Sequence, residues 1–290
     1  MTTKLCSVFR AYIVGCILFF IGCHSVLANS LTWPNGAKAA VVLTYDDTLD
    51  SHLDHAIPQL NKAKLTGTFY VSGARGQLSE RMEEWRAAAA SGHELGNHML
   101  HHPCKKSNPG RDWVANYYDL DRYTIAQFEE ELKVTNTLLQ AIDGKRGRTF
   151  AYPCGDTDVG GGDSVIPTLK KHVTGARFAS TPVNPMSESA TNHHLIGIDN
   201  PLTFDRFMIN AMDASEQTGD QLISAAQNSI SSGSIMTFLF HGVIDKGEYL
   251  ATSTKAHQEL VNHLKDNPTL YWVAPLQDVL DHIDNQTLGK

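Results

Sequence analysis

Three imidazoles and a thiol fall within nine residues, Gly96 to Cys104, which read GNHMLHHPC. Imidazole and thiolate are ligands of transition metals, so the first chemistry to consider is metal binding. His98 and His102 are four apart; on one helical turn their rings would share a face and grip a single ion, with His101 pointing elsewhere. Short His clusters are also common on solvated surfaces, so a metal reading needs another ligand from far along the chain. Asp46 and Asp47 offer one, because they follow the strongest strand-like run, Ala39–Tyr45. Adjacent strand residues point to opposite sides, so at a strand end the two carboxylates can take different tasks. Asp47 would join His98 and His102, and Asp46 would stand beside them. Two imidazoles and one carboxylate, with positions left for water, suit catalytic zinc and also admit cobalt, nickel or iron. The plainer reading of the Asp pair is a cap on the next helix.

The elements that must position these groups alternate along the chain. Short apolar runs at 39–45, 67–73, 148–153, 176–181, 194–199 and 234–242 read as buried strands. Between them Leu53, Ala56, Ile57 and Leu60 mark one helical face, and Ile125, Phe128, Leu132 and Leu139 another. No linker, fixed-period repeat or second composition interrupts the pattern, so one α/β domain over 29–290 is expected. Polar candidates at the ends of several strands favour a barrel of parallel strands over an open sheet. The run Gly160-Gly161-Gly162 lacks the Gly-Lys-Ser/Thr of a phosphate loop. His193-His194 and the scattered His52, His55, His93, His172, His257, His263 and His282 read as surface residues.

The chain has 290 residues, 42% hydrophobic and 19% charged, with net charge -7. That is enough to bury a core, and disorder is not the default. Residues 1–28 have the layout of a secretory signal peptide: Lys4 and Arg10, an apolar run from Ala11 to Gly22 too short to span a membrane comfortably, and small residues up to Ala28. Cys23 is an alternative lipid-attachment site. Signal removal leaves Cys104 and Cys154 as the only cysteines and makes the remainder more acidic. There is no basic stripe for nucleic acid, and the charge favours a neutral or cationic substrate over a polyanion.

Taken together, four motifs in order resemble the polysaccharide deacetylases, the NodB-homology domains of the fourth carbohydrate esterase family. They are Tyr45-Asp46-Asp47-Thr48, the His98 to Pro103 segment, the strand FAYPCGD from Phe150 to Asp156, and IMTFLFHG ending at His241-Gly242. The resemblance runs from Ala39 to the YWVAPLQDVLDHI segment. It implies a distorted (β/α) barrel of about seven parallel strands, with Asp47, His98 and His102 holding a divalent metal, most readily Zn2+, at its mouth. Asp46 is then the base, the backbone N–H of Cys154 meets the oxyanion, and His241 is the acid for the departing amine. Two departures stand out. Ala151 occupies the place of the arginine that usually tethers the base, which leaves Arg148, Arg177 or Asp199 as substitutes, and Cys154 replaces an aromatic residue.

The resemblance also brings Cys104 and Cys154 to the same barrel mouth, and in an oxidising compartment it implies a disulfide between them. A zinc-ligand role and two unpaired thiols are the alternatives. Trp85, Trp113, Tyr117 and Tyr118 are candidates for stacking on sugar rings, Trp113 and Tyr117 foremost. The expected activity is metal-dependent removal of N-acetyl, or O-acetyl, groups from a glycan by a secreted or periplasmic enzyme. Cyclic amide or imide hydrolysis and non-catalytic carbohydrate binding are the competing readings.

Overall fold

In the computed structural model the described residues are 31–178, 197–231 and 233–288. The leader with Cys23, and the His193-His194 pair, lie outside them.

A run buried on both faces must sit in the middle of a sheet. Ala39–Asp46 (β1) is such a run, with every residue buried. It pairs in parallel with Ile235–Phe240 (β10) on one side, and with Thr68–Val71 (β2) and Tyr271–Val273 (β11) on the other. Outward from β2 come Glu94–Asn97 (β3), Phe150–Ala151 (β4) and Ala176–Arg177 (β7), all parallel. Beyond β10 lie Met212–Asp213 (β9) and Ile198–Asp199 (β8). Asp158–Val159 (β5) and Asp163–Ser164 (β6) form a separate hairpin.

Helices cover this nine-stranded sheet. Ile57–Ala63 (α1), Met82–Ala90 (α3), Gly219–Ile230 (α6) and Thr254–Asp266 (α7) bury Leu60, Trp85, Leu222 and Leu260 against Val41, Leu43 and Phe69. Gly76–Glu80 (α2) is a short lead-in to α3. Ile125–Asp143 (α4) and Ile166–His172 (α5) pack Phe128, Leu132 and Leu169 on Phe150, and Leu276–Leu288 (α8) packs Leu280 on Val42. The α4 boundaries are locally encoded: Thr124 and Gln127 form a reciprocal capping box, and Gly144 ends the helix at φ 74°.

One contact shows that the sheet curls into a distorted barrel. Four strand spacings separate β7 from β1, about 19 Å if the sheet were flat. Yet Arg177 of β7 crosses the interior, its guanidinium 5.1 Å from the centre of the Tyr70 ring, and reaches Asp46 of β1. Gly96 permits the layer between them, because a Cβ there would fall 2.4 Å from the Tyr70 ring.

Several expectations need correction. The main sheet has nine strands rather than about seven, and β8 runs antiparallel. Strand β3 carries no apolar alternation because its Glu94 is buried and fully engaged. Its carboxylate accepts from Thr149 N–H and hydroxyl, the Thr68 hydroxyl and Gln277 N–H. Residues 98–102 are irregular, not a helical turn. His52, His93 and His257 are fully buried core residues rather than surface ones, as is Trp85, which removes it as a sugar platform. Among the described residues no helix is long and apolar enough to cross a membrane.

Candidate active site

Parallel strands gather their carboxyl ends at one rim, where function concentrates in barrels of this kind. Here β1 delivers Asp46 and Asp47, β3 delivers His98, β4 leads into Cys154, and β10 ends before His241. The chain turns sharply after β1. Asp47 and Thr48 adopt φ of 82° and 59°, left-handed values that L-residues rarely accept. Thr48 holds its conformation with its hydroxyl, which accepts the Ser72 N–H at 2.8 Å. The Asp pair therefore ends a strand and does not cap a helix.

This turn aims Asp47 at the two imidazoles. Asp47 Oδ1 lies 3.7 Å from His98 Nε2 and 3.3 Å from His102 Nε2, and the three ligand atoms all lie within 4.8 Å of one another. His98 comes directly off β3, while His102 is turned inward by its own left-handed φ of 52°. The far nitrogens are occupied. His98 Nδ1 donates to the carbonyl of Ala151 at 2.9 Å, and His102 Nδ1 faces Cys104 Sγ at 3.5 Å. A disulfide sulfur has no proton to give, so Nδ1–H is the donor there, and each Nε2 keeps its lone pair for the cluster.

Charge states agree with this. Burial holds His98 and His102 below the ordinary imidazole value. Burial raises the Asp47 carboxyl, but His102, His98 and His241 together outweigh it and leave its pKa lowered. Asp47 Oδ1 is buried with no hydrogen-bond partner among the described residues. An orphaned carboxylate oxygen converging with two imidazole lone pairs is a donor set that a divalent cation satisfies.

Asp46 is built differently. Its Oδ2 pairs with Arg177 Nη2, both side chains being almost wholly buried, while Oδ1 has no partner among the described residues. Arg177 stands beside Ala151 in register, so the guanidinium absent from position 151 enters from the next strand at the same level. Arg148 instead binds Asp143 and the carbonyl of Leu95, and Asp199 accepts from Asn210 N–H and side-chain amide. Neither reaches Asp46.

Cys104 and Cys154 are joined in a disulfide with Cα atoms 5.8 Å apart. This removes both sulfurs as thiolate ligands, although they lie near His102. Cys154 has φ 56°, and its N–H has no acceptor among the described residues. Arg111 fixes this loop by donating to the Cys154 carbonyl at 2.8 Å while pairing with the buried carboxylate of Asp156. His241 is held through its backbone, its carbonyl accepting from His52 Nε2 at 2.8 Å, and its Nδ1 has no partner among the described residues.

Trp113 is 65% exposed and lines a pocket of about 290 Å³ that also includes His102. Tyr117 is exposed but lies outside that pocket, whereas Tyr118 lines it and stacks on His101 with centroids 4.6 Å apart. The sequence offered no local signal for Arg75, 3.8 Å from Asp47, or for Arg111, because both act across long sequence separations.

Comparison with known proteins agrees with this architecture. The polysaccharide deacetylase family model matches residues 34–173 of the chain. Among curated proteins it is 26% identical over 106 residues to an uncharacterized protein, YlxY, of Bacillus subtilis, and 29% identical over 130 residues to a gellan lyase from a Bacillus species. These matches take in 37% and 44% of this chain but span only 28% and 4% of the two relatives. The fold is shared with peptidoglycan deacetylase PdaC from Bacillus subtilis, at TM-score 0.52 and 18% identity over 88% of this chain and 96% of that one. A pseudoenzyme of the fourth carbohydrate esterase family from Bacillus anthracis gives TM-score 0.51 and 16% identity, over 86% of this chain and 67% of that one.

Proposed function

We propose that the protein is a metal-dependent hydrolase that removes N-acetyl groups from the amino sugars of a glycan, and O-acetyl groups by the same route. The family match alone does not carry this, since the shared fold also serves a pseudoenzyme. The observation that carries it is the pair of differently treated carboxylates: Asp47 converges with His98 and His102, and Asp46 is clamped on one oxygen by Arg177 with the other free among the described residues.

Asp47, His98 and His102 would hold the ion, with Zn2+ the best match to the donor set and Co2+, Ni2+ or Fe2+ admitted. When bound, a divalent ion supplies Lewis-acid polarisation of the acetyl carbonyl and lowers the pKa of water toward neutrality. Asp46 Oδ1 takes a proton from the attacking water, and Arg177 keeps that carboxylate aimed. The Cys154 N–H donates to the oxyanion. His241 protonates the departing nitrogen, which cannot leave as an amide anion. The leader-like segment and the disulfide support a secreted or periplasmic site of action.

The test is acetate release from acetylated chitin oligomers, peptidoglycan strands and acetylated xylan, with and without Zn2+ or Co2+. Metal-dependent release is expected. Glycan retention with no release from any of them would instead support a binding protein.

A further inference from the structure

The ring of His241 lacks the anchor that the ring of His98 has. His98 Nδ1 donates to the carbonyl of Ala151, whereas His241 Nδ1 has no hydrogen-bond partner among the described residues. β10 ends at Phe240, the register partner of Tyr45, so His241 also lies just past the sheet ladder. An imidazole with neither restraint takes its direction from the backbone that carries it.

That backbone is gripped by the segment that follows β1. His52 Nε2 donates to the His241 carbonyl at 2.8 Å, and Ser51 Oγ accepts the Val243 N–H at 3.1 Å, so the chain is held on both sides of Gly242. Glu248 sets the Ser51 hydroxyl for this task. Its Oε2 accepts the hydroxyl proton and its Oε1 accepts the Ser51 N–H at 3.4 Å, which leaves an Oγ lone pair for Val243. Gly242 makes room for that carboxylate, because a Cβ there would fall 2.5 Å from Glu248 Oε2. The grip is itself fixed: Ser51 and His52 are buried, and the His52 ring packs among Tyr45, Phe69 and Trp85. Thr252 closes the other side, its N–H donating to the Gly242 carbonyl and its carbonyl accepting from the Ile244 N–H. Because Ser51 and His52 come shortly after Asp46 and Asp47, one short segment ties the end of β1 to the end of β10. We infer that Ser51, His52 and Glu248 are positioning residues that hold the His241 imidazole in place relative to Asp46 and Asp47. The inference rests on the deacetylase reading for what His241 does, but the grip is measurable without turnover.

The leaving group exposes the role, since an amine must be protonated as it departs whereas 4-nitrophenolate leaves unaided. With Zn2+ present, Ser51→Ala and Glu248→Ala should each lower kcat on N-acetylglucosamine oligomers about tenfold at unchanged KM. On 4-nitrophenyl acetate neither should change kcat by more than about twofold. His241→Ala should show the same split with a larger loss on the amide. Ser51→Ala/Glu248→Ala should lose no more than Ser51→Ala alone, because the two residues act through one hydroxyl. Asp245→Ala, which frees the same loop from Thr254 without touching Ser51, should leave both rates unchanged. Parallel losses on amide and ester, or the same split in Asp245→Ala, overturn the inference. Deuterium exchange of the Val243 amide reads the grip directly, and should be about tenfold or more faster in Ser51→Ala and Glu248→Ala than in the unsubstituted protein and Asp245→Ala. Unchanged exchange also overturns the inference. If the unsubstituted protein releases acetate from neither substrate, the deacetylase reading fails and the role assigned to His241 fails with it, while the exchange rates still report whether Ser51 and Glu248 hold the backbone.

Discussion

Asp46 and His98 are held by the sheet, whereas His102, Cys154 and Trp113 are held by loops, and the two halves of the site are made rigid in different ways. The strand-borne groups are buried and fixed by the ladder itself, with Arg177 holding one oxygen of Asp46 and the Ala151 carbonyl holding His98 Nδ1. The loop-borne groups have few ladder bonds. Cys104 and Asp119 form an isolated bridge, and further restraint comes from the disulfide, Arg111 on Asp156, Lys105 on Asp158 and backbone N–H groups donated to the Asp119, Asp121 and Asp156 carboxylates. If the proposed roles hold, chemistry that tolerates little displacement sits on the sheet, and the proposed substrate contact sits on a stapled loop.

The comparison is broken most severely by changing the proposed base. Asp46→Asn should retain about one divalent ion per chain by elemental analysis yet lower acetate release by roughly two to four orders of magnitude. His98→Ala or His102→Ala should lose the ion as well, and undiminished metal in the double substitution would remove this ligand set.

Arg177→Met tests the buried side. It strands the Asp46 carboxylate in the interior, so a stability loss of about 3 to 5 kcal/mol is expected in urea unfolding. Arg148→Met also breaks a buried pair but should leave the geometry of Asp46 intact, so residual activity per folded molecule separates the two.

The stapled side is tested by Cys104→Ser/Cys154→Ser. The bond closes a span of 50 residues, worth on the order of 4 kcal/mol at most in the chain-entropy model. Limited proteolysis should then cut first within 105–122, and protection of that loop in the variant would contradict the staple. Mass spectrometry of the unreduced protein should find the two tryptic peptides joined.

The smallest effect concerns pH. His257 is buried, and its pKa is lowered by burial to about 3. Its Nδ1 donates to Gln59 Oε1 at 2.6 Å, and its Nε2 accepts from the Tyr45 hydroxyl at 2.7 Å, an arrangement only the neutral ring allows. The unfolded chain binds the proton first, so the stabilising contribution is complete above about pH 6.5 and is lost progressively as pH falls toward 3. Metal-free protein should lose about 2 kcal/mol through this group between pH 7 and 5, and His257→Gln should flatten the stability curve over that interval. An unchanged slope would mean the ring is solvated in the native state.

The sequence by itself determined the α/β alternation, the buried strand Ala39–Tyr45, the two helical faces and the candidate residues at strand ends. Each of these is written in local periodicity or in a short motif whose members lie within a few residues of one another. It did not reveal β3, because a buried Glu94 satisfied by Thr68, Thr149 and Gln277 looks like a surface residue until its partners are in place. His52, His93 and His257, all buried, look like surface residues in the sequence for the same reason. Only the tertiary structure chose Arg177 over Arg148 and Asp199, since the choice depends on the curl that carries a guanidinium from β7 across the Tyr70 ring to β1. It likewise placed Arg75 beside Asp47 and Trp113 beside His102. Burial and long-range pairing are properties of the closed sheet, and no window of the chain contains both members of such a pair.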